Sequence, residues 1–281
     1  MNSGPNRLAT TGPRLTIAKR AVLALLAQYF CLTTNDLAAI LHGRIPTEPD
    51  RRGTRRSLST LLSNGLVRRM PYFGEGHFHG GTTFAYGLTD RGARFMRESD
   101  GLFPYAKSLD EHSLRTLDHE LEISRFHMAL KWFCARHCLR LAWRQSALKH
   151  TVHPDALFSI TNPGEPPERQ TAYYFLEIER SKLGHYRNGE PQILTKLDAY
   201  FHYFDSDACA EEWGEAFRQF RVVIVQRSEE RRANLLSVLA TRYRHRMFWL
   251  TTEELYRQDI GGAIFQTPRD FDARGYGFLD K

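Results

Sequence analysis

Three acids stand at a spacing suited to phosphodiester chemistry. Asp155 follows Pro154 at the opening of one strand-like run, and Glu177 and Glu179 lie two apart in the apolar run 172–179. Alternate side chains of a strand share a face, so the two glutamates point the same way. Antiparallel pairing of the two runs would bring Asp155 to Glu177. Carboxylates gathered in an apolar sheet are costly unless positive charge compensates them. A hard divalent cation, Mg2+ or Mn2+, does so, because it takes a few carboxylates together with substrate phosphate oxygens. It also activates water and stabilises phosphoryl charge. Asp155, Glu177 and Glu179 are therefore the expected metal ligands. Two residues are candidates for a protein cation beside them: Lys182, three residues past Glu179, and Lys196 on the following helix. Arg180, Lys182, Arg187 and Lys196 read either as DNA-backbone contacts or as solvated surface.

The elements that must position these residues alternate. The pattern predicts a helix over 118–136, strands over 138–144, 153–160 and 172–179, and a helix over 190–204. A buried strand over 220–226, a helix over 228–242, a strand over 246–250 and a short helix from Glu253 complete the order. Helix, strands, helix, strand argues for a mixed sheet flanked by helices. Cys134 and Cys138 with His127 and His137 have the residue types of a zinc site, but four-residue spacing on an apolar helix reads as buried thiols. Tyr173, Tyr174, Tyr200 and Tyr203 read as core. The GxxxxGK[ST] phosphate loop is absent, so nucleotide hydrolysis is not expected.

Charge separates the first hundred residues from the rest. They hold fourteen Lys and Arg against seven Asp and Glu, while the remaining residues hold twenty-five of each, so the whole net charge of +7 lies at the N-terminal end. Such a basic segment, mostly arginine, suits phosphate and guanine contacts. Helices are predicted over 16–30, 35–41 and 51–63, the second capped by Thr33 or Thr34, the third stopped by Asn64-Gly65. The third exposes Arg51, Arg52, Arg55 and Arg56 at its start and turns Leu58, Leu61 and Leu62 inward. Three short helices with arginines on the last describe a helix-turn-helix reader of the major groove. Strands over 66–70 and 82–88 with the glycine-rich loop 73–81 form a wing, adding Arg68 and Arg69 as DNA contacts. His77-Phe78-His79 has the His-apolar-His pattern of a metal-binding strand, yet Gly74, Gly76, Gly80 and Gly81 around it suit a loop. His77 and His79 therefore read as wing-tip phosphate contacts. Tyr86-Gly87-Leu88-Thr89-Asp90-Arg91-Gly92 closely resembles the exit from the wing in bacterial winged-helix domains.

Thus the fold expected is α+β or α/β: a winged helix-turn-helix domain (1–98), a polar linker (99–116) and a mixed sheet flanked by helices (117–281). An ordinary 42% hydrophobic share argues against wholesale disorder. No run of eighteen apolar residues and no signal-peptide core appear, and the four cysteines lack a disulfide spacing, which predicts a protein of the reducing cytoplasm without membrane contact.

Pro154-Asp155, then Glu177-Ile178-Glu179, then a helix with Lys196 and Tyr200, resembles the PD-(D/E)xK nuclease-like core, a restriction-endonuclease-like fold. More narrowly the chain resembles the plasmid replication-relaxation family, which includes MobC-type conjugative relaxases. Asp155, Glu177 and Glu179 match that family's aspartate and Glu-x-Glu pattern, and His119 and Glu120 match the His-Glu that heads the domain's first helix. The nuclease pattern ends in lysine where this chain has Glu179. The resemblance implies metal-dependent, strand-specific nicking of double-stranded DNA at an origin of transfer or replication, with other relaxosome or coupling proteins, or a second copy of the chain, as partners. It implies catalytic roles for Asp155, Glu177, Glu179, His119, Glu120, Lys182 and Lys196. The alternative is a non-catalytic DNA-binding replication regulator or relaxosome accessory protein.

Overall fold

The computed structural model describes residues 15–72, 83–99, 103, 106–110, 116–145, 152–180, 186–187, 190–214, 219–270 and 275–280. Two compact units divide the chain, Met1–Ser124 and Arg125–Lys281. The fold is of mixed α and β type, helices first and then sheet, as the sequence predicts.

In the first unit α1 (Ile17–Tyr29), β1 (Cys31–Thr33), α2 (Thr34–His42) and α3 (Glu48–Ser63) precede β2 (Val67–Tyr72), β3 (Thr83–Leu88) and α4 (Asp90–Ser99). Leu23, Leu26, Leu37, Leu58 and Leu61 are fully buried between the helices. At the start of α2 the Thr33 hydroxyl accepts from the Asp36 amide, and Asp36 accepts in return from the Thr33 amide, a closed capping box. A second box explains why α3 begins at Glu48 and not at Arg51: Asp50 accepts from the Thr47 amide at 2.8 Å and from its hydroxyl. Pro49 fits there, because the first turn needs no amide from it. At the far end Gly65 adopts φ +63°, the left-handed conformation that closes a helix.

The strands form an antiparallel sheet in the order β1-β3-β2, with Cys31 opposite Gly87 and Val67 opposite Leu88. The exit from this hairpin is tied to the end of α3. The Thr89 hydroxyl donates to the Gly65 carbonyl at 2.6 Å and accepts from the Gly92 amide at 3.1 Å. A Cβ on Gly92 would lie 2.0 Å from the Leu66 carbonyl oxygen, so no larger residue fits. Within 99–116, read from composition as a linker, Leu109 donates its amide to the Leu88 carbonyl and is buried against Met70 and Ala85. The division between the units falls later, within α5 (Leu117–Arg136).

The second unit is built on a five-stranded mixed sheet. Its strands are β4 (Arg140–Gln145), β5 (Ala156–Thr161), β6 (Thr171–Glu179), β9 (Phe220–Gln226) and β10 (Phe248–Thr252), in the order β10-β9-β6-β5-β4. The pairs β4–β5 and β5–β6 are antiparallel, whereas β6–β9 and β9–β10 are parallel. Two-residue strands β7 (Tyr186–Arg187) and β8 (Glu190–Pro191) pair apart from it. The parallel strands require crossovers, which α6 (Gln192–Asp205) with α7 (Ala208–Trp213) and then α8 (Glu229–Arg242) supply. These helices bury Leu197, Tyr200, Tyr203 and Leu239 against Phe175, Val222, Ile224 and Leu250 on one face of the sheet. On the other face the rings of Tyr174 and Trp249 meet Phe278, and Phe158 meets Phe126. After β10 comes α9 (Glu253–Asp259).

Candidate functional site

The β5–β6 register puts Ala156 opposite Leu176, which carries Asp155, one residue before the strand, beside Glu177. Backbone bonds fix it there: Asp155 donates its amide to the Leu176 carbonyl at 3.0 Å, and its Oδ2 accepts from the Ile178 amide at 2.7 Å. Glu177 is 3% exposed and lies on the face of β6 turned to α6. Two side chains one helical turn apart on α6 reach it. Lys196 Nζ donates to Oε2, and the Tyr200 hydroxyl donates to Oε1 at 2.5 Å. Spacing i, i+4 on a helix sets both donors on one face, one above the other.

Electrostatics follow from that placement. Burial first, and the charge of Asp155 second, push the Glu177 carboxyl up to about 8 against the pull of Lys196 and Tyr200. Burial works against the Lys196 charge, yet the fields of Glu177, Asp155 and Glu179 outweigh it and raise its pKa. Burial and the Glu177 charge hold the Tyr200 hydroxyl well above its ordinary value, so it stays a donor. The cluster is two adjacent carboxylates with one lysine between them and solvent, in an apolar sheet. Perturbed groups of this kind gather where chemistry is done.

A hard cation fits this donor set in part. Asp155 and Glu177 supply carboxylate oxygens whose mutual repulsion a cation relieves, and a Mg2+-like ion needs only one or two carboxylates besides water and phosphate. Among the described residues, however, no three His, Cys, Asp or Glu side chains stand as a metal-holding group. A cation held here would take Asp155 and Glu177 as its protein ligands, and the charge of Glu179 acts on the same place.

His119 and Glu120 are half-buried on α5 within the first unit. Lys182 lies outside the described residues, as do His77 and His79. Of the two lysines that sequence reasoning left open, Lys196 is the one the structure places on Glu177. The Arg180 side chain is largely shielded from solvent and pairs with Glu253 at 3.4 Å. Cys134 is buried, its thiol pushed up to about 11 by that burial, while Cys138 is exposed. A cavity of about 870 Å³ opens at the other end of the sheet, where β6 and β9 begin. Its walls mix Arg169, Arg221 and Arg246 with Glu165, Glu168 and Asp280, so it selects no one charge.

On α3 the four arginines form two pairs. Glu48, in the helix's first turn, takes an ion pair from Arg55 and another at 3.7 Å from Arg51, whose Nε also donates to Asn35 Oδ1 at 3.0 Å. Arg52 and Arg56 make no such contact among the described residues and are exposed, with Ser59 and Ser63 continuing their stripe. Sequence reasoning missed this split because it began the helix at Arg51 and so left Glu48 out. On β2, Arg68 and Arg69 are both exposed, and Arg69 lies 4.8 Å from the centre of the Phe84 ring.

A protein family described as replication-relaxation matches residues 23–215 of the chain, a stretch that holds α3, Asp155, Glu177, Glu179, Lys196 and Tyr200. Comparison with the curated proteins and with the solved structures finds no match.

Proposed function

Because the chain belongs to the replication-relaxation family, acting in the replication or relaxation of DNA, we propose that it is a metal-dependent nicking enzyme of the MobC relaxase type with a PD-(D/E)xK-like core. The first unit, read as a winged helix, finds the DNA, and the second cuts one strand at an origin of transfer or replication. The observation that carries this reading is the Asp155–Glu177 carboxylate pair with Lys196 and Tyr200 both on Glu177. A divalent cation bound by Asp155 and Glu177 supplies an activated water and stabilises phosphoryl charge. The chain's own residues prepare that place. The Ile178 amide and the strand register hold Asp155. Tyr200 and Lys196 orient Glu177 and oppose the burial that disfavours its charge. Lys196, about a third exposed, is the cation that can face a DNA phosphate, the part a lysine at the Glu179 position would play in the nuclease pattern.

The test is a supercoiled plasmid carrying the cognate origin, incubated with protein in Mn2+ or in chelator. Nicked circles in Mn2+ alone support the reading. Salt-sensitive binding with no nicking in either condition overturns it.

One feature favours a second reading. Both Glu177 oxygens are already hydrogen-bonded, so the cluster has the connectivity of a structural polar network as well. On that reading the chain is a DNA-binding replication regulator or relaxosome accessory factor, and its DNA binding is indifferent to metal.

A further inference from the structure

We infer that Gln226 is a further residue of the cutting site, its side-chain amide meeting a phosphodiester oxygen of the DNA strand beside the Asp155–Glu177 pair. The inference rests on the proposed nicking reaction.

Gln226 ends β9, directly after the apolar run Val222–Val225. It is only 3% exposed, yet among the described residues its amide has no hydrogen-bond partner. Its amide tip keeps only a narrow contact with solvent, and polar groups so nearly buried are usually paired. A group that violates this rule in a folded chain calls for a reason, and its surroundings give one. The parallel register sets Phe175 beside Val222, Glu177 beside Ile224 and Glu179 beside Gln226. Phe175, Val222 and Ile224 all belong to the core under α6 and α8. Alternation therefore puts Gln226 on the same face as Glu177 and Glu179, one residue pair beyond the buried glutamate. This is the carboxyl end of the parallel strands β6, β9 and β10, where open α/β sheets take their ligands.

Among the described side-chain atoms wholly closed from water, those without a hydrogen bond lie elsewhere or, in the case of Glu253 Oε1, meet Arg180 in an ion pair. Trp143 Nε1 belongs to the edge strand β4. Thr251, opposite Val225, falls on the alternate register and so on the other face. An amide beside two carboxylates also suits the chemistry. Its N–H₂ donates to a phosphate oxygen that the acids would repel, and it adds no charge to a cluster already carrying three.

Gln226→Leu separates this role from a structural one. The variant removes an unpaired amide and keeps the volume, so its unfolding temperature should match or exceed that of the wild type. Nicking of origin plasmid in Mn2+ should fall by about tenfold or more, the scale of losing one charge-stabilising donor. The rise in unfolding temperature that a short origin duplex gives the wild type should shrink as well. Gln226→Asn, which keeps the amide, should recover part of both losses. A lowered unfolding temperature with nicking lost in proportion makes Gln226 a structural residue and overturns the inference, as does unchanged nicking. Asp155→Asn is the reference: if Asp155→Asn nicks as well as the wild type, the underlying reading fails, whereas an inactive Asp155→Asn beside a fully active Gln226→Leu refutes this inference alone.

Discussion

Lys196 and Tyr200 show how one buried carboxylate is made tolerable. With Lys196→Met, Glu177 keeps the Tyr200 bond but loses its compensating charge. The expected cost is about 1–3 kcal/mol, read from urea unfolding, and Glu177→Gln in the same chain should return most of it because no buried charge is left. Equal stability of Lys196→Met and wild type would show that the ion pair is idle. A second buried titratable group, His127, sits 4.1 Å from Trp143 with the rings parallel. Burial first, and Lys131 second, depress its pKa from 6.5 to about 3. The folded chain thus keeps it neutral while the unfolded chain takes up a proton below about 6.5. Its contribution is intact above that pH and is lost progressively as pH falls towards 3. His127→Phe keeps the stacking and lacks the proton, so unfolding midpoints measured across this window should fall less steeply in the variant. The acid pair itself was legible in the sequence from the expected antiparallel pairing of its two strands. Its donors were only half so, since Lys196 and Tyr200 lie 19 and 23 residues from Glu177 and meet it through helix packing, which spacing in the chain does not encode.

At the scale of elements, α3 and the hairpin exit carry the most consequence. Glu48 ties Arg51 and Arg55, which makes Arg52 and Arg56 the proposed DNA contacts of this helix. Arg52→Ala and Arg56→Ala should each weaken binding of an origin duplex by about 1–3 kcal/mol. Arg51→Ala and Arg55→Ala should do less. Fluorescence anisotropy at several salt concentrations decides, and the reverse order would refute the division. The helix itself was legible from its leucine stripe, but its start was not, because Pro49 hides a first turn that the Thr47–Asp50 box secures. Asp90–Ser99 and Ala208–Trp213 escaped as helices for a similar reason: the first is strongly polar, the second only six residues long. In the hairpin exit, Thr89 and Gly92 hold the end of α3, so Gly92→Ala should destabilise the chain by about 3 kcal/mol through a backbone clash. A thermal midpoint within a degree of the wild type would contradict that packing.

The whole molecule joins a basic N-terminal segment to an electrically balanced remainder, and its family match spans both units. No described helix is long and apolar enough to cross a membrane. Element order along the chain and fold class were legible because periodicity survives in single elements. The boundary was not, since Leu109 and Leu117 look like isolated apolar residues until the strands they cover are in place. Division of labour between the units is the central claim: arginines of the first recognise DNA and acids of the second cut it. Asp155→Asn isolates the second step, because the amide keeps an oxygen to accept from Ile178 while the charge is lost. The deciding measurement is the nicked fraction of origin-bearing supercoiled plasmid in Mn2+, wild type against Asp155→Asn, at equal DNA occupancy. Nicking by the wild type and none above background by the variant is the predicted result; equal nicking by both would contradict it.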